Sequence, residues 1–200
     1  DELGLSNIEY LNADILELHK LTKKFDVIEC VGVLHHMKEP MKGLKILLNL
    51  LEPHGVIKLG LYSEKARQHI VQVREFIKKN KFKNTTDGIR DCRQSIINQK
   101  DDATFKEIFN RGDFYTISSA RDLMFHAQEH RFNLPQISQM VSDFDLEFLG
   151  FSNEQIKKRY SAKFPEDEKN ISLENWDKFE TSEPETFIDM YNFWLRKKVH

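Results

Sequence analysis

Two apolar runs with one amphipathic segment between them constrain the fold of this chain more than any other feature. Residues 25–31 and 56–61 are short, rich in β-branched and aliphatic side chains, and nearly continuous in apolarity. Such runs are typical of strands that are covered on both faces in a parallel sheet. Between them, apolar side chains recur at helical spacing, namely Met41, Leu44, Leu47, Leu48 and Leu51. This order predicts a right-handed β–α–β unit and an α/β fold.

The rest of the chain extends this pattern in both directions. Hydrophobic periodicity and turn residues predict strands at 8–11 and 146–151, a turn or short helix at 15–24, a helix stop at 52–55 and a helix at 64–79. Near the end we predict a polar excursion at 153–183, a helical turn at 186–190, and a strand or continuing helix at 191–197.

A polar, helical stretch interrupts the strands and suggests three parts. Residues 84–141 lack strand alternation, which indicates an inserted helical cap. We therefore predict a core part at 1–83, the cap at 84–141, and terminal strands with the excursion at 142–200, which complete the core.

The composition fits a globular chain and excludes several classes of protein. Hydrophobic residues make up 40% and charged residues 31%, which excludes wholesale disorder. The net charge of -2 gives no electrostatic footprint for nucleic acid, and no apolar run approaches the ~20 residues of a membrane helix. Cys30 and Cys92 are too few for a disulfide framework and suit a reducing compartment. We expect a cytoplasmic protein with no membrane or nucleic-acid partner.

One ordered set of motifs points to a family. Asn12 to Ile15 follow the first short strand, Leu34-His35-His36 follows the strand at 25–31, and the helix leads into Leu51-x-Pro53-x-Gly55. Taken together, these motifs resemble the class I S-adenosylmethionine-dependent methyltransferase family. Residues 60–67 resemble a bacterial subgroup of that family, often attached to helical repeats.

The resemblance implies a partial Rossmann-like sheet. The family's strand order is 3-2-1-4-5-7-6, so residues 8–11 would be strand three and 25–31 strand four. The glycine-rich cofactor loop would lie upstream of Asp14, and none of the eight glycines forms a G-x-G-x-x-G pattern. We therefore expect a C-terminal portion of the domain, with a possible fusion to an upstream domain in the full-length protein. In isolation it should bind S-adenosylmethionine weakly or not at all.

The resemblance also implies which residues meet the cofactor. Ligands of open parallel sheets bind at the carboxyl ends of the strands. Asp14 and the Ile15 amide would contact adenine, the backbone of Cys30 and Val31 the methionine portion, and His35 would lie close by. Simpler interpretations stay open, because Asp14 also suits a cap of the following turn and Cys30 a small buried filler.

Methyl transfer depends mainly on alignment and exclusion of water. The acceptor is an oxygen, nitrogen or carbon nucleophile on an unknown small molecule or protein. His35 is a better candidate for a catalytic general base than His36, and Tyr62 either lines the acceptor pocket or merely packs. The cap offers substrate-contact candidates on a helix that would close over the pocket, Arg121, His126, Glu129 and His130; the alternative is a salt-bridged surface helix.

A rival motif lies in the same segment. His126, Glu129 and His130 spell H-x-x-E-H, in which two histidines on one helix face hold zinc and the glutamate activates water. A third ligand is required, and Glu147 and Glu154 are candidates. A zinc-dependent hydrolase and a non-catalytic methyltransferase-like binding module are therefore the two alternatives to a methyltransferase. For the methyltransferase we predict no metal site.

Overall fold

A computed structural model describes residues 6–126, 128–188 and 190–199. Within these residues four strands and seven α-helices follow in the order β1 Phe25–Val31, α1 Pro40–Leu50, β2 Leu51–Leu61, α2 Gln68–Asn80, α3 Thr86–Ile97, α4 Ile117–Phe125, α5 Leu134–Asp143, β3 Leu146–Phe151, α6 Glu154–Lys163, α7 Leu173–Ser182 and β4 Tyr191–Lys197. Short 3₁₀ helices occupy Ile15–Lys20, Leu34–His36, Ala103–Asn110 and Gly112–Tyr115.

The four strands form one sheet in the order β1-β2-β4-β3. β1 and β2 are parallel, and β4 is antiparallel to both β2 and β3. In the expected strand order these are strands four, five, seven and six, so the prediction of a partial Rossmann-like α/β sheet is confirmed. The chain between residues 191 and 197, which the sequence left open, is a strand.

The strand predicted at residues 8–11 is wrong. These residues have no regular secondary structure, and Tyr10 is 91% exposed. A strand needs a hydrogen-bonding neighbour, and in the expected order strands two and one separate strand three from strand four. No described segment provides them. The outer edge of β1 is correspondingly bare, and Val27 and Val31 are 54% and 40% exposed.

Two smaller predictions also need correction. Residues 52–55 do not lie outside the strand, because β2 begins at Leu51. They do interrupt its pairing with β1. Phe25 pairs with Leu51, whereas Val27, two residues later, pairs with Val56, five residues later. The helical turn predicted at 186–190 is a pair of single turns among its described residues, closed by Thr186 N–H to Glu183 and Ile188 N–H to Glu185.

Apolar side chains are buried in two separate clusters. The first, which we call the sheet core, joins α1, α5, α6 and α7 to the sheet; its large members are Phe148, Phe151, Tyr160, Trp176, Phe179 and Phe193. The second, the cap core, joins α2, α3 and α4 through Ile70, Val73, Ile89, Cys92, Phe105 and Phe114. By packing, α2 therefore groups with the cap, and α5 with the sheet. The domain boundaries given above stay a prediction.

Candidate active site

The loops that could hold ligands gather at one edge of the sheet. β1 and β2 end there at Val31 and Leu61, and antiparallel β4 starts there because Tyr191 pairs with Leu61. Gly60 is required at this edge, since a Cβ on it would come within 3.0 Å of the Val31 Cα. Gly32 has a φ of +78°, which favours glycine, and a Cβ there would meet nothing within 4 Å. Open space therefore borders the end of β1.

His35 is buried completely beneath this edge. Neither ring nitrogen has a hydrogen-bond partner among the described residues. Burial disfavours the imidazolium and lowers the pKa of His35 to about 3, with a smaller contribution from His36. His35 is therefore neutral at physiological pH. A base with so low a pKa is poorly matched to proton abstraction near pH 7.

Tyr62 stands next to His35 and is covered on both faces. Its ring centroid lies 3.8 Å from that of His35 and 3.6 Å from the guanidinium carbon of Arg67. Two groups this close must lie on opposite faces of the ring, so Tyr62 presents only its edge and hydroxyl to a ligand. That hydroxyl makes no hydrogen bond within the described chain, and burial raises its pKa. Tyr62 is thus a neutral phenol with free donor and acceptor capacity.

A cleft of about 260 Å³ separates the sheet edge from the cap. Tyr62, His36 and Met190 line it on the sheet side together with Arg67; Arg111, Asp113, Ser119, Asp122 and Leu123 line it on the cap side. The Arg111 guanidinium donates to the Ile188 carbonyl. Hydroxyl, imidazole and carboxylate groups thus converge on a small space beside the end of β1, which suits a polar acceptor group.

Residues 128–132 form an extended segment, which we call the strap, across the ends of β1 and β2. His130 N–H donates to the His35 carbonyl at 2.7 Å, and Phe132 N–H donates to the Tyr62 carbonyl at 2.8 Å. Phe132 in turn accepts from Glu64 N–H at 2.8 Å. The strap therefore fixes the backbone at His35 and at Tyr62.

Glu129 in the strap is the charged centre of the site. Its side chain is fully buried and accepts from Arg67 Nε and Nη2 at 3.1 and 2.9 Å, and from Arg74 Nη2 at 2.9 Å. Arg131 lies 3.9 Å away. A carboxylate so covered has no surface left for a substrate, so the predicted substrate contact at Glu129 is corrected to an internal ion pair.

Comparison with known proteins decides the family. A family model described as a methyltransferase domain matches residues 1–113, more than half of the chain. The chain belongs to the class I S-adenosylmethionine-dependent methyltransferase family. This confirms the resemblance that the motifs at 12–67 indicated.

Individual relatives cover different parts of this methyltransferase chain. An uncharacterized Synechococcus protein is 27% identical over an alignment that covers 94% of this chain and 48% of that protein. A tRNA U34 carboxymethyltransferase of Campylobacter jejuni is 39% identical over 67 residues, 33% of this chain and 23% of that enzyme. The chain thus spans about half or less of the length of these relatives.

Solved structures share the fold. PKMT2 from Rickettsia typhi superposes with a TM-score of 0.66 at 17% identity, covering 93% of this chain and 38% of that one. A second structure of PKMT2, in complex with AdoHcy, gives a TM-score of 0.62 at 15% identity, covering 92% and 38%. At this identity the likeness supports the methyltransferase fold alone.

The zinc motif does not form in this methyltransferase. Helix α4 ends at Phe125 and the strap is extended, so His126 and His130 do not share a helix face. Glu129 is bound by arginines, and the described residues contain no group of three side chains arranged for a metal ion. The hydrolase hypothesis is therefore dropped.

The described residues include no helix with the length and apolarity to cross a membrane.

The other predicted site residues lie in several parts of the chain. His126 stacks on His36 at 3.9 Å, His130 Nε2 lies 3.5 Å from Gln128, and Arg121 is half-buried on α4. Asp14 is exposed and caps the following 3₁₀ helix through Leu16 N–H; Ile15 beside it is half-buried. Burial raises the pKa of Cys30, which fits a filler. Ligand roles for all of these stay predictions.

The sequence alone does not single out several residues of the cleft. Arg67 is the last residue of the segment 60–67 that resembles the bacterial subgroup, and its basic side chain was the signal in the sequence that could have indicated it. Asp122 adjoins the predicted Arg121. Arg111, Asp113 and Met190 carry no signal, because they reach the cleft from parts of the chain that only the packing brings together.

Proposed function

We propose that this chain forms the acceptor-binding part of an S-adenosylmethionine-dependent methyltransferase. The observation that carries the proposal is the cleft between sheet edge and cap, which borders the carboxyl ends of two parallel strands. The acceptor is an oxygen, nitrogen or carbon nucleophile of a small molecule or protein. The two buried cysteines fit a cytoplasmic protein.

The chain's residues suit both the adenine and the methionine portion of the cofactor. Gly32 leaves open space beside β1, and the Asp14 carboxylate is exposed, with one oxygen used by its cap. Asp14 and the Ile15 amide would hold adenine, and the Cys30 and Val31 backbone the methionine portion. S-adenosylmethionine supplies an electrophilic methyl group on a sulfonium, which is already a good leaving group. The protein's own task is then to orient the acceptor and keep water out.

Tyr62 is our candidate for the group that orients the acceptor. Its hydroxyl faces the cleft without a partner, and its two covered faces leave the ring no freedom to turn. His35 backs the ring from beneath and, being neutral, adds no charge beside a cationic cofactor. Under this proposal His35 supports Tyr62 and the cofactor side, and general-base catalysis by His35 is the weaker of its two predicted roles.

The bare edge of β1 supports a second part of the proposal. Among the described residues β1 pairs with β2 alone, and its Val27 and Val31 are 54% and 40% exposed; an unpaired, apolar strand edge calls for a neighbouring strand. We propose that other parts of the full-length protein pair with this edge and supply the glycine-rich loop. The isolated chain would then bind S-adenosylmethionine weakly.

Calorimetry with S-adenosylhomocysteine on the full-length gene product and on residues 1–200 alone tests the cofactor proposal. We expect clear binding only by the full-length product. Asp14→Asn should weaken it, because asparagine keeps the helix cap but loses the negative charge. Absence of binding by the full-length product would refute the enzyme and favour a non-catalytic binding module.

The acceptor proposal is tested with labelled S-adenosylmethionine and fractionated small-molecule and protein pools. Tyr62→Phe should lower methyl transfer about tenfold, the rate equivalent of one lost hydrogen bond, and leave cofactor binding intact. Tyr115→Phe is the control, since its exposed hydroxyl donates only to the Phe109 carbonyl. Equal rates for the two variants would remove Tyr62 from the proposal.

A further inference from the structure

Two buried carboxylates from distant parts of the chain hold the loop that leaves β2. On one side, Glu180 of α7 accepts from Ser63 Oγ at 2.6 Å and from the Tyr191 hydroxyl at 2.8 and 2.7 Å. On the other side, Glu129 of the strap accepts the bidentate pair from Arg67. Both side chains are fully buried. The loop carries Tyr62, so the position of this residue depends on two internal anchors.

The anchor at Glu129 reaches Tyr62 through the plane of a guanidinium. Two parallel N–H···O bonds fix that plane as well as its position. The fixed plane lies over Tyr62 at 3.6 Å, and the other face of Tyr62 lies 3.8 Å from His35. A continuous line of contacts therefore runs from the strap to the deepest residue of the site. Glu180 has no such line, because its partners are Ser63, Tyr191 and, at 3.9 Å, Lys65, whereas the groups that contact the Tyr62 ring are His35, His36 and Arg67.

Charge explains why this line depends on Glu129. Arg67 is 3% exposed, and Arg74 shares the same carboxylate oxygen. Without the negative charge, two neighbouring guanidinium groups would face each other out of water, which is strongly unfavourable. Arg67 would leave the Tyr62 ring to reach solvent or another acceptor. Tyr62 would then lose the group that covers one of its faces.

We propose that Glu129 is a positioning residue of the methyl-transfer site, which sets Tyr62 and His35 through Arg67 without touching the acceptor. The inference rests on the proposed function for the role of Tyr62. It also ties docking of the strap to assembly of the site, because the same segment donates His130 N–H to His35 and Phe132 N–H to Tyr62. A displaced strap leaves neither residue in place.

Histidine side-chain NMR on the full-length gene product tests this positioning, with His35→Asn to assign the His35 signal. Arg67→Lys keeps the charge but loses the planar fork over Tyr62, whereas Arg74→Lys loses a fork that contacts Glu129 and not Tyr62. We expect Glu129→Gln and Arg67→Lys to shift the His35 and His36 signals, through the altered ring current of Tyr62. Arg74→Lys should leave them near the wild-type values.

Folding of the variants is checked by the unfolding midpoint. If Glu129→Gln alone does not fold, the double variant Glu129→Gln with Arg74→Gln keeps the net charge of the cluster and should still shift the His35 signal. An unmoved His35 signal in a folded Glu129 variant overturns the inference, as does an equal shift in Arg74→Lys. Calorimetry with S-adenosylhomocysteine on the same samples reports separately on the proposed function.

Discussion

The sheet core and the cap core are built on different principles. The sheet core joins residues from Cys30 to Leu195, and its aromatic members stack across the chain, with Tyr160 and Trp176 at 3.7 Å. The cap core is drawn from the single stretch between residues 70 and 125, in short helices joined by 3₁₀ turns. A core built from neighbouring residues can change without rearranging the sheet. The cap core therefore depends less on the sheet than the sheet core does.

The two cores meet through polar contacts. Glu129 joins Arg67 and Arg74 at 2.9 Å, and Arg74 also donates to the Leu123 carbonyl at 3.2 Å. Apolar side chains form no shared cluster among the described residues. Stability should therefore be unevenly distributed, with the cap opening at a lower free energy than the sheet.

The largest effect is expected from removing the centre of the sheet core. Trp176 is fully buried and donates to the Asn170 carbonyl at 2.9 Å. Trp176→Ala should lower the free energy of unfolding by about 4 kcal/mol, measured by urea denaturation followed by far-UV circular dichroism. Trp194→Ala, at a half-buried position on β4, is the control and should cost clearly less. Equal losses would mean that the sheet core does not dominate stability.

The matching change in the cap core should act locally. Phe114 is fully buried and packs edge-on against Phe109 at 5.5 Å. Phe114→Ala should destabilise the cap by about 3 kcal/mol. Amide hydrogen exchange should accelerate in α3 and α4 while β2 and β4 keep their protection. Uniform acceleration over the whole chain would show that the two cores unfold as one unit.

A smaller effect is expected at the buried carboxylate on the sheet side. Tyr191→Phe removes the hydroxyl that donates to both oxygens of Glu180, whose pKa is already raised by burial. The carboxylate keeps Ser63 as a donor, so the loss of unfolding free energy should be about 2 kcal/mol. Ser63→Ala serves as the comparison from the loop side. A neutral Tyr191→Phe would mean that water replaces the hydroxyl.

The most gradual effect is expected from acid. Burial lowers the pKa of His35 to about 3 and of His69 to about 4, below the ordinary value of 6.5. Between the folded and the unfolded pKa of each histidine, the unfolded chain binds more protons than the folded chain. The free energy of unfolding therefore falls as the pH drops below 6.5. The slope should approach about 1 kcal/mol per pH unit for each histidine. His35→Asn should flatten the sheet's response and His69→Asn that of the cap; an unchanged profile in both would contradict these assignments.

Much of the fold was predictable because its signals are local. The apolar runs that became β1 and β2, the periodicity of α1 and the strand β3 follow from side chains within a few residues of one another. The motifs at 12–67 were sufficient for the family, and they brought the region of His35 and Tyr62 into view. The cleft was only half predictable, since its cap side depends on residues such as Asp113 that have no pattern of their own.

The sequence by itself determined the β–α–β unit and the methyltransferase family, because hydrophobic period and turn residues act over short distances. Only the tertiary structure decided that residues 128–132 form an extended strap, since the amides of His130 and Phe132 find acceptors at His35 and Tyr62. It also decided that Glu129 is an internal ion pair and that residues 8–11 form no strand. Each of these outcomes depends on whether a hydrogen-bond or ion-pair partner from a distant part of the chain lies within reach, and a local sequence pattern does not contain that information.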